Sequence, residues 1–190
     1  MKTSRAVTRA FTLIELMVTI AIAAVLLMVV IPSLTTFQRN AELTSITNNL
    51  IAALNVARGE AMKRNGFTFV EPLGAGGNWN GGFRVYVDQN LNMTFDEATD
   101  ISILKTEAVS PYITITGTDT ATGATAYLMF DAQGYSKTKA RGWPAATLAL
   151  TIARNDVTGS ELLRQTRKVK IANTGRVVSC KPESATDPNC

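Results

Sequence analysis

The sequence predicts an α+β chain in which one long N-terminal helix, its first half transmembrane, packs its second half on a mainly antiparallel β C-terminal domain. Three observations predict it. The run from Phe11 to Ile31 contains a single charged residue, Glu15. Beyond Pro32, apolar residues recur every three or four positions as far as Asn65-Gly66. After that pair come short stretches rich in β-branched and aromatic residues, each bounded by turn formers.

At 1.5 Å per residue, the Phe11 to Ile31 run reaches about 31 Å, the thickness of a bilayer core. Its Leu, Ile, Val and Phe side chains favour insertion by about 4 to 8 kcal/mol, against about 3 kcal/mol for one charge near the centre. Insertion therefore wins with the acid included. A cleaved secretory signal fits poorly, because its apolar region is about 7 to 15 residues long and ends at an Ala-x-Ala-like site. Here the run is longer and flows into Ile31-Pro32-Ser33. For an ordinary signal anchor, Glu15 has no explanation, since an ionisable group in a membrane helix has a partner and a task.

In the second half of the helix, Leu43, Ile46, Leu50, Leu54, Ala57 and Ala61 form one stripe, with Arg39, Glu42, Asn49, Arg58 and Lys63 between them. That pattern is a helix lying on a sheet, and Asn65-Gly66 suits its C-terminus. Strands are expected near 67–70, 83–88, 101–106, 112–116, 127–130, 147–153, 168–172 and 176–180. The glycine-rich segment 74–82 reads as a hairpin connection, because no Lys-Ser or Lys-Thr follows to make it a phosphate loop. The Thr/Ala/Gly tract 116–126 offers little to pack. Phe130, Tyr127, Trp143 and Trp79 are expected in the core or in hairpin packing.

Of the 19 basic residues, Lys2, Arg5 and Arg9 lie ahead of the apolar run, where positive flanks hold the cytoplasmic end of a membrane segment. Without them the formal charge of +4 falls close to neutral. The chain has no histidine, which excludes Ser-His-Asp and Cys-His catalytic sets and every His-bearing zinc site. No enzymatic activity and no cofactor are expected. Cys180 and Cys190 read as one disulfide closing a short terminal loop in an oxidising compartment, or as two free thiols in a reducing one; export favours the first.

Asp88, Asn90, Asn92 and Asp96 stand at positions one, three, five and nine of a calcium-type loop. Position six is Met93 rather than Gly and position twelve is Thr99 rather than Glu, so the EF-hand pattern fails. A polar hairpin turn is the first reading and a looser calcium turn the alternative; otherwise no metal is expected.

The stretch Arg9-Ala10-Phe11-Thr12-Leu13-Ile14-Glu15-Leu16 resembles the type IV prepilin signature, with a small residue before the cut, Phe after it and Glu fifth in the mature chain. The resemblance implies a pilin fold, cleavage between Ala10 and Phe11 by prepilin peptidase, and methylation of the new Phe11 amine. Ala10 departs from the usual Gly, and slower cleavage is the expectation. Pro32 stands where many pilins place a helix-softening proline.

The segments Trp79 to Asp96, Phe130 to Gly134 and Thr174 to Val178 resemble the GspH/FimT family of minor pilins and pseudopilins, which includes FimU-like pilins. The implied organisation is a leader, 1–10; the transmembrane half of the helix, 11–31; its amphipathic half, 32–65; and a β-rich globular domain, 66–190.

The implied role is a minor pilin that helps initiate or cap a type IV pilus. The alternatives are a type II secretion pseudopilin and a DNA-binding pilin. The expected partners are other minor and major pilins, prepilin peptidase and the inner-membrane assembly platform. The expected location is the inner membrane, with the globular domain periplasmic, and then a filament. In that assembly Glu15 would pair with the Phe11 amine of a neighbour, since a misregistered subunit leaves a charge unpaired. Nucleic acid is not expected as a partner. FimT-like pilins use Gly-Arg-x-Arg, but here Gly175-Arg176-Val177 continues with Val178, leaving Arg176, Lys170 and Lys181 as the basic candidates.

Overall fold

The computed structural model describes residues 11–184, 187 and 190. Residues to Ala41 form one compact unit, and Glu42–Cys190 a second. Helix α1 (Leu13–Arg64) begins in the first and continues in the second.

In the first unit the described large apolar side chains from Phe11 to Phe37 are exposed. A helix that is apolar all round is built for hydrocarbon or for neighbouring helices. No single helix among the described residues is long and apolar enough to cross a membrane. The pieces Leu13–Met28 and Ser33–Arg64, bent at the residues between them, meet that requirement together by length and composition. The bend coincides with Pro32, which has no N–H for the Met28 carbonyl.

In the second unit the predicted stripe is the buried one: Leu43, Leu50, Leu54, Ala57 and Ala61 are fully covered. The helix stops as the sequence suggested, with one difference. Asn65, not Gly66, takes the left-handed conformation (φ 51°), and the Gly66 N–H reaches back to the Ala61 carbonyl at 3.1 Å. That is a Schellman closure with asparagine in the glycine role.

Eight strands follow: β1 (Phe67–Gly74), β2 (Asn78–Asp88), β3 (Ile101–Lys105), β4 (Ile113–Gly117), β5 (Leu128–Phe130), β6 (Leu148–Arg154), β7 (Thr166–Ile171) and β8 (Val177–Cys180). They form two four-stranded sheets, ordered β3-β2-β1-β5 and β4-β6-β7-β8, and all their pairings are antiparallel. Strands β1 and β2 run through most of the glycine-rich segment, leaving only residues 75–77 as a turn. A short helix, α2 (Gly159–Arg164), which the hydrophobic pattern did not announce, joins β6 to β7.

One core takes side chains from the helix and both sheets, including Leu50, Val85, Leu128, Leu150 and Val169. The Thr/Ala/Gly tract, expected to pack little, contributes Ala121 and Ala126 to it, and the Ala121 carbonyl accepts the buried Trp79 indole N–H at 2.7 Å. Asn80 on β2 joins the sheets, its Oδ1 accepting the Ile115 N–H of β4 at 2.7 Å. On the other face of the first sheet, Phe69, Tyr86 and Met129 align across β1, β2 and β5 and are covered by Met93 and Phe95. Phe130 is buried as expected, but Trp143 is half exposed. It meets the edge of Tyr135, with the Lys137 ammonium over its ring.

Two polar residues of α1 clip the helix to the sheets. Glu42 accepts hydrogen bonds from Ser110 Oγ and Tyr112 OH. Arg58 donates from Nε to the Gly134 carbonyl at 3.0 Å and from Nη2 to the Thr174 carbonyl at 3.1 Å. Both receiving turns need glycine. Gly134 and Gly175 have φ of 79° and 75°, and a Cβ on Gly175 would lie 1.8 Å from the Gly134 oxygen.

Arg58→Ala should cost about 2 kcal/mol or more, since each bond to a charged donor contributes about 1.5 to 3. Gly175→Ala should cost more; the denaturant midpoint of the detergent-solubilised chain measures both. Burial, and next the adjacent Glu71 carboxylate, push the Tyr86 phenol well above its ordinary value. The folded state then holds a proton that the unfolded state releases above about pH 10. Stability should fall as pH rises beyond that point, and less steeply in Tyr86→Phe, as read by unfolding titrations on either side of it.

Candidate functional site

The start of α1 places the sequence's most unusual residue. Thr12 is the residue before the first helical turn and Glu15 is the third residue inside it. The Thr12 N–H and hydroxyl donate to Glu15 Oε2 at 3.0 and 2.9 Å, while the Glu15 N–H donates to Thr12 Oγ1 at 3.3 Å. This reciprocal pair is a capping box. Thr-x-x-Glu was visible in the sequence, yet the reading of Glu15 as partner for an amine overlooked it. In the chain with its leader, Phe11 carries an amide rather than an amine, so the acid is satisfied by its own helix start. Phe11 beside it is exposed. Ala10 lies outside the described residues.

The calcium-type positions run from the end of β2 along its connection to β3. Asp88 is buried at the end of β2, and Asn90, Asn92 and Asp96 follow, each accepting the N–H two residues on. Asp100, which the sequence reading did not single out, accepts the Gln89 and Asp96 N–H groups. The connection is a long loop held by side-chain caps rather than a tight turn.

The basic candidates do not converge. Lys170 lies on β7 opposite Val178, Arg176 is exposed at the turn into β8, and Lys181 is exposed past its far end. Arg176 and Lys181 are thus separated by about 15 Å of extended chain. Gly175, the glycine of the incomplete basic motif, is packed against the Gly134 turn. Cys180 and Cys190 form the expected disulfide, with Cα atoms 5.7 Å apart. Sequence reasoning missed Arg58, which it placed only between the apolar residues of the helix stripe. The Phe130 to Gly134 and Thr174 to Val178 segments quoted for the family resemblance meet at its guanidinium.

The family described as type II transport protein GspH matches residues 47–175, more than half of the chain. The chain belongs to the GspH family. The prokaryotic N-terminal methylation motif matches residues 5–31 of this GspH-family chain, which marks it for prepilin peptidase. Among solved structures it is similar to the type IV minor pilin FimU of Pseudomonas aeruginosa (strain PAO1) in two crystal forms. One is 20% identical, with a TM-score of 0.53, covering 75% of this chain and 90% of that one. The other is 19% identical, with a TM-score of 0.51, covering 72% and 91%. That likeness establishes the pilin fold. No curated protein sequence matches the chain.

Reducing the Cys180–Cys190 bond should lower stability by about 2 to 3 kcal/mol, from the freedom restored to the unfolded terminus. Denaturant unfolding with and without dithiothreitol measures it.

Proposed function

We infer that this GspH-family chain is a minor pilin that helps initiate or cap a type IV pilus after prepilin peptidase removes residues 1–10. The observation that carries the reading is Glu15, the one charged side chain in an apolar helix start, within a matched methylation motif. Cleavage before Phe11 creates an ammonium four residues from that carboxylate. Thr12 supplies two donors to one oxygen of Glu15, and the other can take the amine of a neighbouring subunit without breaking the cap. In low dielectric such a pair sets axial register, because a misplaced subunit leaves a charge bare.

The exposed apolar residues from Phe11 to Phe37 support an inner-membrane anchor before assembly and helix packing after it. The β unit would then face the periplasm or the outside. Other minor and major pilins, and the platform that lifts subunits from the membrane, are the fitting partners. The role is structural rather than enzymatic. The family description favours one second reading, a pseudopilin of a type II secretion filament.

Three measurements test the proposal. Mass spectrometry of the mature protein should find methylated Phe11 at its N-terminus; another terminus would end the processing claim. Glu15→Ala should remain membrane-bound but be lost from sheared surface filaments, and retention at wild-type level would refute the register role. Deleting the chain from its host separates the two systems: loss of surface pili supports the first, and loss of exported enzymes with normal pili supports the second.

A further inference from the structure

The β2–β3 connection contains a charge that the fold does not compensate. Asp88 is 2% exposed. Its Oδ2 accepts the Met93 N–H at 2.9 Å, which turns the carboxylate into the curl of the loop. Its Oδ1 is buried with no hydrogen-bond partner. An ionised oxygen withdrawn from water with neither donor nor cation is among the most unfavourable arrangements in a folded chain. Among the described residues no Lys or Arg forms an ion pair with Asp88 or with Asp100. Asp100 is itself 9% exposed, and it accepts the N–H of Gln89, the residue after Asp88, at 3.0 Å.

The loop that follows this orphan oxygen carries further hard oxygens. Asn90 Oδ1 accepts only the Asn92 N–H, which leaves a lone pair. Asn92 Oδ1 accepts both the Thr94 N–H and hydroxyl, so the hydroxyl must rotate away for this oxygen to reach an ion. Asp96 Oδ1 accepts the Ala98 N–H. Leu91 and Met93 adopt φ of 60° and 63°, a left-handed backbone that side-chain-bearing residues rarely take; it curls the chain between the alternate oxygen-bearing positions.

We propose that this loop binds one Ca²⁺ ion through Asp88 Oδ1, with the side-chain oxygens of Asn90, Asn92 and Asp96 and backbone carbonyls completing the shell. Oxygen donors without His or Cys suit a hard cation. A mixed, irregular set of amides and carboxylates suits calcium over magnesium, which demands a near-ideal octahedron. Among the described residues no three of His, Cys, Asp or Glu come together to hold a metal. The shell therefore combines at most two carboxylates with neutral amide and carbonyl oxygens, and the affinity belongs with extracellular modules, at a Kd of about 10⁻⁴ to 10⁻³ M. The ion would fix the loop that lays Met93 and Phe95 over Phe69, Tyr86 and Met129, tying coverage of that sheet face to calcium outside the cytoplasm.

The test is calorimetric titration of the full chain in uncharged detergent with CaCl₂, and separately with MgCl₂. One saturable calcium site in the stated range is expected, with magnesium at least about tenfold weaker. Asp88→Asn retains an acceptor for Met93 but should weaken calcium binding by about tenfold or more. In EDTA that variant should melt at or above the wild-type temperature, because the bare charge is gone; in millimolar CaCl₂ the order should reverse. Absence of saturable binding, equal binding of magnesium, or unchanged affinity in Asp88→Asn would each overturn the proposal. A misfolded Asp88→Asn in EDTA would also count against it. Asn92→Ala, at an exposed position, must then weaken calcium binding, and unaltered binding would overturn the site.

Discussion

The second unit depends on one guanidinium. Arg58 spans from α1 to two turns that are 76 and 116 residues further along the chain, and its planar fork donates to a carbonyl in each. Lysine has a single point of charge and could not hold both acceptors in fixed directions. The turns it joins are also tied to each other, the Ser136 N–H donating to the Asn173 carbonyl at 3.0 Å. The helix, the loop after β5 and the β7–β8 turn thus meet at one place, where Gly134 and Gly175 both take positive φ and the Gly134 carbonyl leaves no room for a Cβ on Gly175. Glu42 provides the corresponding hold where the unit begins.

What was legible in the sequence was what depends on local period. The spacing of Leu43, Leu50, Leu54, Ala57 and Ala61 marked the buried side of the helix, and β-branched runs marked all eight strands, although β1 and β2 extend further into the glycine-rich segment than they showed. The division of those strands into two sheets was not legible. It rests on long-range pairings such as Phe69 with Met129 and on the Asn80 clip to β4, for which a linear pattern carries no signal. Arg58 and Glu42 were hidden for the same reason: on a helical wheel they look like solvent-side charges, and only the fold brings carbonyls and hydroxyls to them. Trp143 misled in the opposite direction, since an aromatic side chain has a high prior for burial, yet this one is covered by Lys137 and Tyr135 at the surface.

The candidate sites divide along similar lines. Glu15 stood out because a charge in an apolar run is costly wherever it occurs, so composition alone exposed it. The β2–β3 loop was half legible: the spacing of its oxygens was plain, while the burial of Asp88 and the contribution of Asp100 from across the loop needed three dimensions. The basic residues near the C-terminus looked like a cluster only in one dimension, because an extended hairpin spreads neighbours in sequence along its length.

The Thr12–Glu15 cap has a bearing on timing. Since Thr12 supplies both donors, the carboxylate has partners from the moment the helix forms, before any protease has acted. The acid of a newly made chain therefore does not go without hydrogen-bond donors at its helix start. An amine released by cleavage before Phe11 would be a second partner for an acid that its own helix start already holds.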